Sequence, residues 1–166
     1  MATIARGGVP TQTNGELPAV GSVVPEFMLT DGELNDIGLD AFTGKKKILY
    51  IVPSLDTPTC ARTTLRFNEA ASRLHNTVIL IASADLPFAQ KRYCIDKGAD
   101  NIVPLSMMRN RNFAKDYGVL IQDGPLTGIT ARALLVLDEQ NTVLYSELVG
   151  DIRDEPDIDR ALKLVD

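Results

Sequence analysis

Cys60 ends the stretch Pro53-Ser54-Leu55-Asp56-Thr57-Pro58-Thr59-Cys60, where an apolar run gives way to a helix. The chemistry open to a thiol is nucleophilic, because the thiolate attacks where the thiol does not. Thr57 suits a helix N-cap and Pro58 the first helical position, where a missing N–H costs nothing. Cys60 then falls at the third position of the first turn, near unpaired amides and the positive end of the helix. Cysteines so placed can drop from a pKa of about 8.5 to roughly 3.5–7.5. A second reading stands beside this one. Cys60, Thr64, Phe67, Ala71 and Leu74 form one helical stripe, which also suits a small buried hydrophobe. Position alone leaves both open.

The other cysteine, Cys94, lies 34 residues later. On the helix expected there it shares a side with Pro87, Gln90, Lys91 and Gly98. That side is mostly polar, so the thiol is expected nearer the surface than a core cysteine; an inert, half-buried thiol is the alternative. The chain holds two cysteines and one histidine, with no Cys-x-x-Cys, so no structural zinc is expected. No glycine-rich phosphate-binding fingerprint occurs either.

The elements that must position these residues follow from the pattern. Ile48 to Val52 and Thr77 to Ala82 are continuous apolar runs, separated by a helix over about Ala61 to His75. That order predicts a parallel βαβ unit with a right-handed connection. Asp85 starts a helix over Leu86 to Lys97, ended by Gly98, with Phe88 and Ile95 marking its inner face. Residues 2–13 read as a hairpin about Gly7-Gly8. Phe27 to Thr30 and Ile102 to Leu105 are short strands, Ile37 to Phe42 a turn or strand, and Asn110 to Tyr117 a helix stopped by Gly118. Ala133 to Leu137 and Thr142 to Ser146 flank the four-residue turn Asp138–Asn141, and Asp157 to Val165 closes the chain as a helix. The fold class is therefore α/β, a central mixed sheet with parallel and antiparallel halves and helices on both faces. That arrangement resembles the thioredoxin fold, with an N-terminal β-hairpin. Residues 1–166 are expected to form one domain, with residues 1–17 as a hairpin extension.

Composition excludes several classes. The net charge is −5, with 45% hydrophobic and 23% charged residues. No basic cluster suggests nucleic acid as a partner. No apolar run approaches the ~20 residues of a membrane span, and the first ten residues lack a signal-peptide pattern. A cytoplasmic location is expected.

Three motifs occur in order: Pro53-x-x-x-Thr57-x-x-Cys60; Ser83-Ala84-Asp85-Leu86-Pro87-Phe88-Ala89-Gln90 with Cys94 shortly after; and Asp123-Gly124-Pro125-Leu126 leading to Ala131-Arg132-Ala133. Together they resemble the peroxiredoxins, most closely the thiol peroxidase subfamily. The resemblance implies a peroxidase acting on hydrogen peroxide and organic hydroperoxides. Cys60 would be oxidised to a sulfenic acid, and Cys94 would resolve it as a Cys60–Cys94 disulfide. A thioredoxin-like dithiol would reduce that disulfide. It further implies that the Thr57 hydroxyl serves thiolate and peroxide, that Arg132 lowers the pKa of Cys60 and steadies the leaving oxygen, that Pro53 walls the pocket, that no metal, haem, flavin or selenium is needed, and that the protein is a homodimer. A disulfide needs Cα atoms about 4.4–6.8 Å apart. Two cysteines on separate helices are therefore expected to meet only if the turn after Thr57, the Cys94 segment, or both unwind. Read without the resemblance, the residues leave open a thiol–disulfide oxidoreductase or redox sensor, and a non-enzymatic interaction module.

Overall fold

The N-terminal turn Gly7-Gly8 has both residues at positive φ, 61° and 84°, a conformation that glycine adopts without a Cβ penalty. It joins β1 (Thr3–Arg6) to β2 (Val9–Gln12) as a separate two-stranded antiparallel hairpin. The computed structural model describes all residues from Met1 to Asp166. After the hairpin come β3 (Met28–Thr30), β4 (Asp36–Gly38), a 3-10 turn at Leu39–Phe42, and β5 (Lys46–Ile51). Then follow α1 (Pro58–Ala71), β6 (Thr77–Ser83), α2 (Pro87–Lys97), β7 (Val103–Ser106), α3 (Asn112–Asp116), β8 (Ala133–Leu137), β9 (Val143–Leu148) and α4 (Ile158–Val165).

The seven-stranded sheet has the order β4-β3-β7-β6-β5-β8-β9. The strands β5, β6 and β7 run parallel, and the apolar runs within β5 and β6 suit strands covered on both faces. On either side of them, β8 with β9 and β3 with β4 are antiparallel. The period-2 alternation of β5 divides its side chains between two cores. Ile48, Tyr50 and the adjoining Val52 point into one with Phe67 of α1 and Ala161 of α4; Leu49 and Ile51 point into the other with Phe113 of α3. No helix is long and apolar enough to cross a membrane.

Two expectations about α2 are corrected. Phe88 and Ile95 are 64% and 68% exposed, so they do not mark its inner face. The buried residues are Pro87 and Gln90. The reason is a polar contact within the fold: the Gln90 side-chain amide donates to Ser83 Oγ at 2.9 Å and to the Leu105 carbonyl at 3.0 Å. A satisfied amide can face inward, and the apolar residues then turn to solvent. Cys94 shares that inner side, packs against the core containing Phe67, and is half-buried. Asp85 does not cap α2 either; Leu86 holds the N-cap position. The first helix also ends at Ala71, four residues before His75, with Ser72 as its C-cap. Gly98 does end α2, in the left-handed conformation at φ 64°.

Candidate active site

The strand-to-helix handover places Cys60 as the sequence suggests. Thr57 is extended (φ −95°, ψ 147°) at the N-cap position, Pro58 opens α1, and Cys60 is the third helical residue, fully buried. The Thr57 hydroxyl, however, makes no cap. It donates to the Ser54 carbonyl at 2.9 Å, closing the loop back on itself. Pro53 is buried two residues beyond the end of β5, next to Val52, whose carbonyl accepts from Thr130 Oγ1 at 3.0 Å.

Arg132 stands just ahead of β8 and is only 2% exposed. A buried guanidinium must spend its donors on acceptors. Nη1 donates to Cys60 Sγ at 2.8 Å and to Tyr50 Oη at 3.0 Å. Nε and Nη2 donate to the Ile152 carbonyl at 3.2 and 2.7 Å. Four of its five N–H donors are thus taken, leaving one on Nη2. The planar fork is held from both ends, which an ammonium could not match. Burial works against the arginine's charge, but Tyr50 and Cys60 outweigh it and hold its pKa above the ordinary value. Tyr50 is pushed up chiefly by burial, offset only in part by Arg132 and by Thr63, whose Oγ1 is 2.8 Å from Oη. The site therefore presents a cation and a neutral phenol around the sulfur. A fixed cation in a site without bulk water stabilises an anion on that sulfur.

The Ile152 peptide connects this site to the N-terminus. Its carbonyl takes the two Arg132 bonds, and its N–H donates to Ala5 of β1 at 2.9 Å. Ala5 in turn donates to the Gly150 carbonyl at 2.8 Å, and the Gly8 amide donates to Asp151 Oδ2 at 3.1 Å. Thr59 Oγ1 donates to the Arg153 carbonyl at 3.0 Å from the opposite side. The segment 150–153 is thus braced between the hairpin and the start of α1.

Cys94 lies apart from this cluster, on α2; its carbonyl accepts from the Ala99 N–H at 2.9 Å, while its thiol makes no hydrogen bond. Both thiols are free. Burial, and then the charge of Asp100, pushes the Cys94 thiol up from 9.0 to about 11. Among the residues singled out by sequence, Cys60 and Arg132 are in contact, and Pro53 and Thr57 share the loop before them. Tyr50, Thr63 and the Ile152 carbonyl were missed. Tyr50 did carry a signal: a tyrosine inside the apolar run Ile48 to Val52 needs a partner for its hydroxyl.

Comparison with known proteins adds four findings. Residues 19–162 match the Redoxin family. The chain is 48% identical over 162 residues to a thiol peroxidase from Mycobacterium bovis, covering 98% of this chain and 97% of that one. It superposes on a peroxiredoxin-like protein from Aquifex aeolicus with a TM-score of 0.93 at 34% identity, covering 99% of this chain and 96% of that one. For a thiol peroxidase from Chromobacterium violaceum the TM-score is 0.89 at 31% identity, covering 98% and 94%.

Proposed function

The chain belongs to the Redoxin family and is a thiol peroxidase of the peroxiredoxin type; from that premise we propose that Cys60 is its peroxidatic cysteine and Cys94 its resolving cysteine. The observation that carries the reading is the Arg132 Nη1–Cys60 Sγ contact of 2.8 Å inside a buried site.

The Cys60 thiolate attacks one oxygen of a hydroperoxide in line with the O–O bond. That bond breaks, Cys60 becomes a sulfenic acid, and the other oxygen leaves as an alkoxide or hydroxide that takes up a proton. Charge moves from sulfur to the leaving oxygen, so a donor fixed beside both accelerates the step. Arg132 is that donor, with its remaining Nη2 proton available to the leaving oxygen. The Thr57 hydroxyl donates its hydrogen bond to the Ser54 carbonyl and keeps lone pairs free to accept from the peroxide O–H. Pro53 helps exclude water from the sulfur. The Cys94 thiol then attacks the sulfenic sulfur; an S–S bond forms, the S–O bond breaks, and water leaves with the thiol proton. A thioredoxin-like dithiol reduces the disulfide by exchange. Hydrogen peroxide and organic hydroperoxides are both substrates in this reading, the enzyme works as a cytoplasmic homodimer, and residues 1–166 act as one domain that includes the hairpin.

The test is rapid mixing of reduced protein with cumene hydroperoxide or hydrogen peroxide, followed by mass. The wild type should lose two hydrogens, Cys94→Ser should stop at a sulfenic acid trapped by dimedone, and Cys60→Ser should not react. Oxidation of the wild type no faster than a free thiol would remove the assigned roles.

A further inference from the structure

Two polar ties join the Cys60 segment to the stretch that carries Cys94, and they bracket Cys60. The first is made by Asp85, whose carboxylate accepts from Ser54 Oγ at 2.7 Å, from the Leu55 N–H at 2.8 Å and from Ser83 Oγ at 2.7 Å. The second is made by Tyr93, whose hydroxyl donates to the Ala61 carbonyl in the first turn of α1 at 2.7 Å. A cleft of about 380 Å³, lined by Leu55, Asp56, Asp85 and Tyr93, lies between them.

The ties are anchored differently. Asp85 lies in the bend between β6 and α2 but is anchored to the sheet. Ser83 and Ser106 are both fully buried strand residues; Ser83 bonds the Asp85 carboxylate, and Ser106 Oγ donates to the Asp85 carbonyl at 2.6 Å. Unwinding α2 leaves these bonds in place. Tyr93 belongs to the body of α2 and is the neighbour of Cys94 in the chain. Any unwinding that carries Cys94 toward Cys60 also displaces Tyr93. Burial and the adjoining thiols, Cys94 and then Cys60, raise the Tyr93 hydroxyl to about 12, so it remains a donor throughout the neutral range.

Resting on the peroxidase reading above, we propose that Tyr93 is a positioning residue that acts as a releasable latch. Its bond to Ala61 holds the first turn of α1 against α2 while Cys60 meets peroxide, and it breaks before Cys94 can reach the sulfenic sulfur. Asp85 is the fixed pin that keeps the Ser54–Leu55 turn on the sheet through both steps. The peroxide step and the closure step are thereby controlled by different side chains.

Tyr93→Phe keeps the ring and removes the bond. Quenched-flow with dimedone and thiol alkylation, read by mass, separates sulfenic acid formation from disulfide closure. Loss of one hydrogen bond of ordinary net strength should speed closure by roughly threefold to tenfold, with the peroxide step unchanged. Asp85→Asn should do the converse and slow the peroxide step, because the turn before Cys60 loses its anchor. Closure unchanged or slowed in Tyr93→Phe overturns the latch, and so does an equal change in both steps, which marks a general loss of structure. If the wild type does not react with peroxide, the peroxidase reading fails alone; closure driven by diamide then gives the same comparison between wild type and Tyr93→Phe.

Discussion

The two cysteines occupy opposite kinds of surroundings. Cys60 is fully buried, with a guanidinium on its sulfur and a helix that buries Thr63, Thr64, Phe67 and Ala70 beside it. Cys94 is half-buried, has no hydrogen-bond partner for its thiol, and rides on a helix that buries only Pro87 and Gln90 while Phe88 and Ile95 face solvent. Local opening follows the number of buried contacts that must be given up. The sulfur that needs a charge partner is thus held where the fold is tightest. In the reading proposed above, the sulfur that travels is held where unwinding gives up least.

That contrast can be attacked from several directions. The largest effect should come from Arg132→Met. It removes the donor beside the sulfur and leaves the Ile152 carbonyl and Tyr50 hydroxyl without it, and peroxide oxidation of Cys60 should slow by about 10²–10³-fold in stopped-flow. Arg132→Lys should fall between, since it keeps the charge and loses the fork. Next, in reduced Cys60→Ser protein, iodoacetamide should label Cys94 about 100-fold more slowly at pH 8 than a free thiol of pKa about 8.5. The sign follows from a thiol raised to about 11: it stays neutral until strongly alkaline pH, so labelling should still be accelerating above pH 10. For the same reason the folded state keeps a proton that the unfolded chain loses between pH 9.0 and about 11, and stability should fall with rising pH across that window. A labelling plateau below pH 9 would erase the contrast. Tyr50→Phe should come third. It removes the acceptor of one Arg132 bond in a buried site and should lower stability by about 1–3 kcal/mol in urea titrations. The smallest effect belongs to Arg62→Ala. Its 2.7 Å contact with Glu155 is solvent-exposed and should be worth less than about 1 kcal/mol by the same titration.

Much of this was legible before any coordinates. The parallel pair β5 and β6 follows from two uninterrupted apolar runs, and the placement of Cys60 follows from Thr57 and Pro58. What the sequence hid was polar burial. Phe88 and Ile95 read as an inner face because apolar periodicity assumes that polar side chains face water. Gln90 breaks that assumption by finding Ser83 and the Leu105 carbonyl across a gap of 7 and 15 residues. Arg132 is the same case: its burial depends on Tyr50, 82 residues earlier, and on a carbonyl 20 residues later. Asp85 looked like a helix cap because Asp caps helices often, yet its carboxylate holds a loop 30 residues upstream. Partnerships of that range leave no periodic trace.

The bracing of Ile152 has a consequence for how the enzyme is made. The Redoxin match begins at residue 19, yet the hairpin before it grips the peptide that orients Arg132. On a ribosome adding about 5–20 residues per second, β2 is finished roughly 7–28 seconds before Ile152 is joined to the chain. From the moment Cys60 is joined, 92 residues before Ile152, until that peptide is in place, the nascent thiol has no properly seated guanidinium. Peroxide reactivity is therefore born late, after nearly all of the protein exists to contain it.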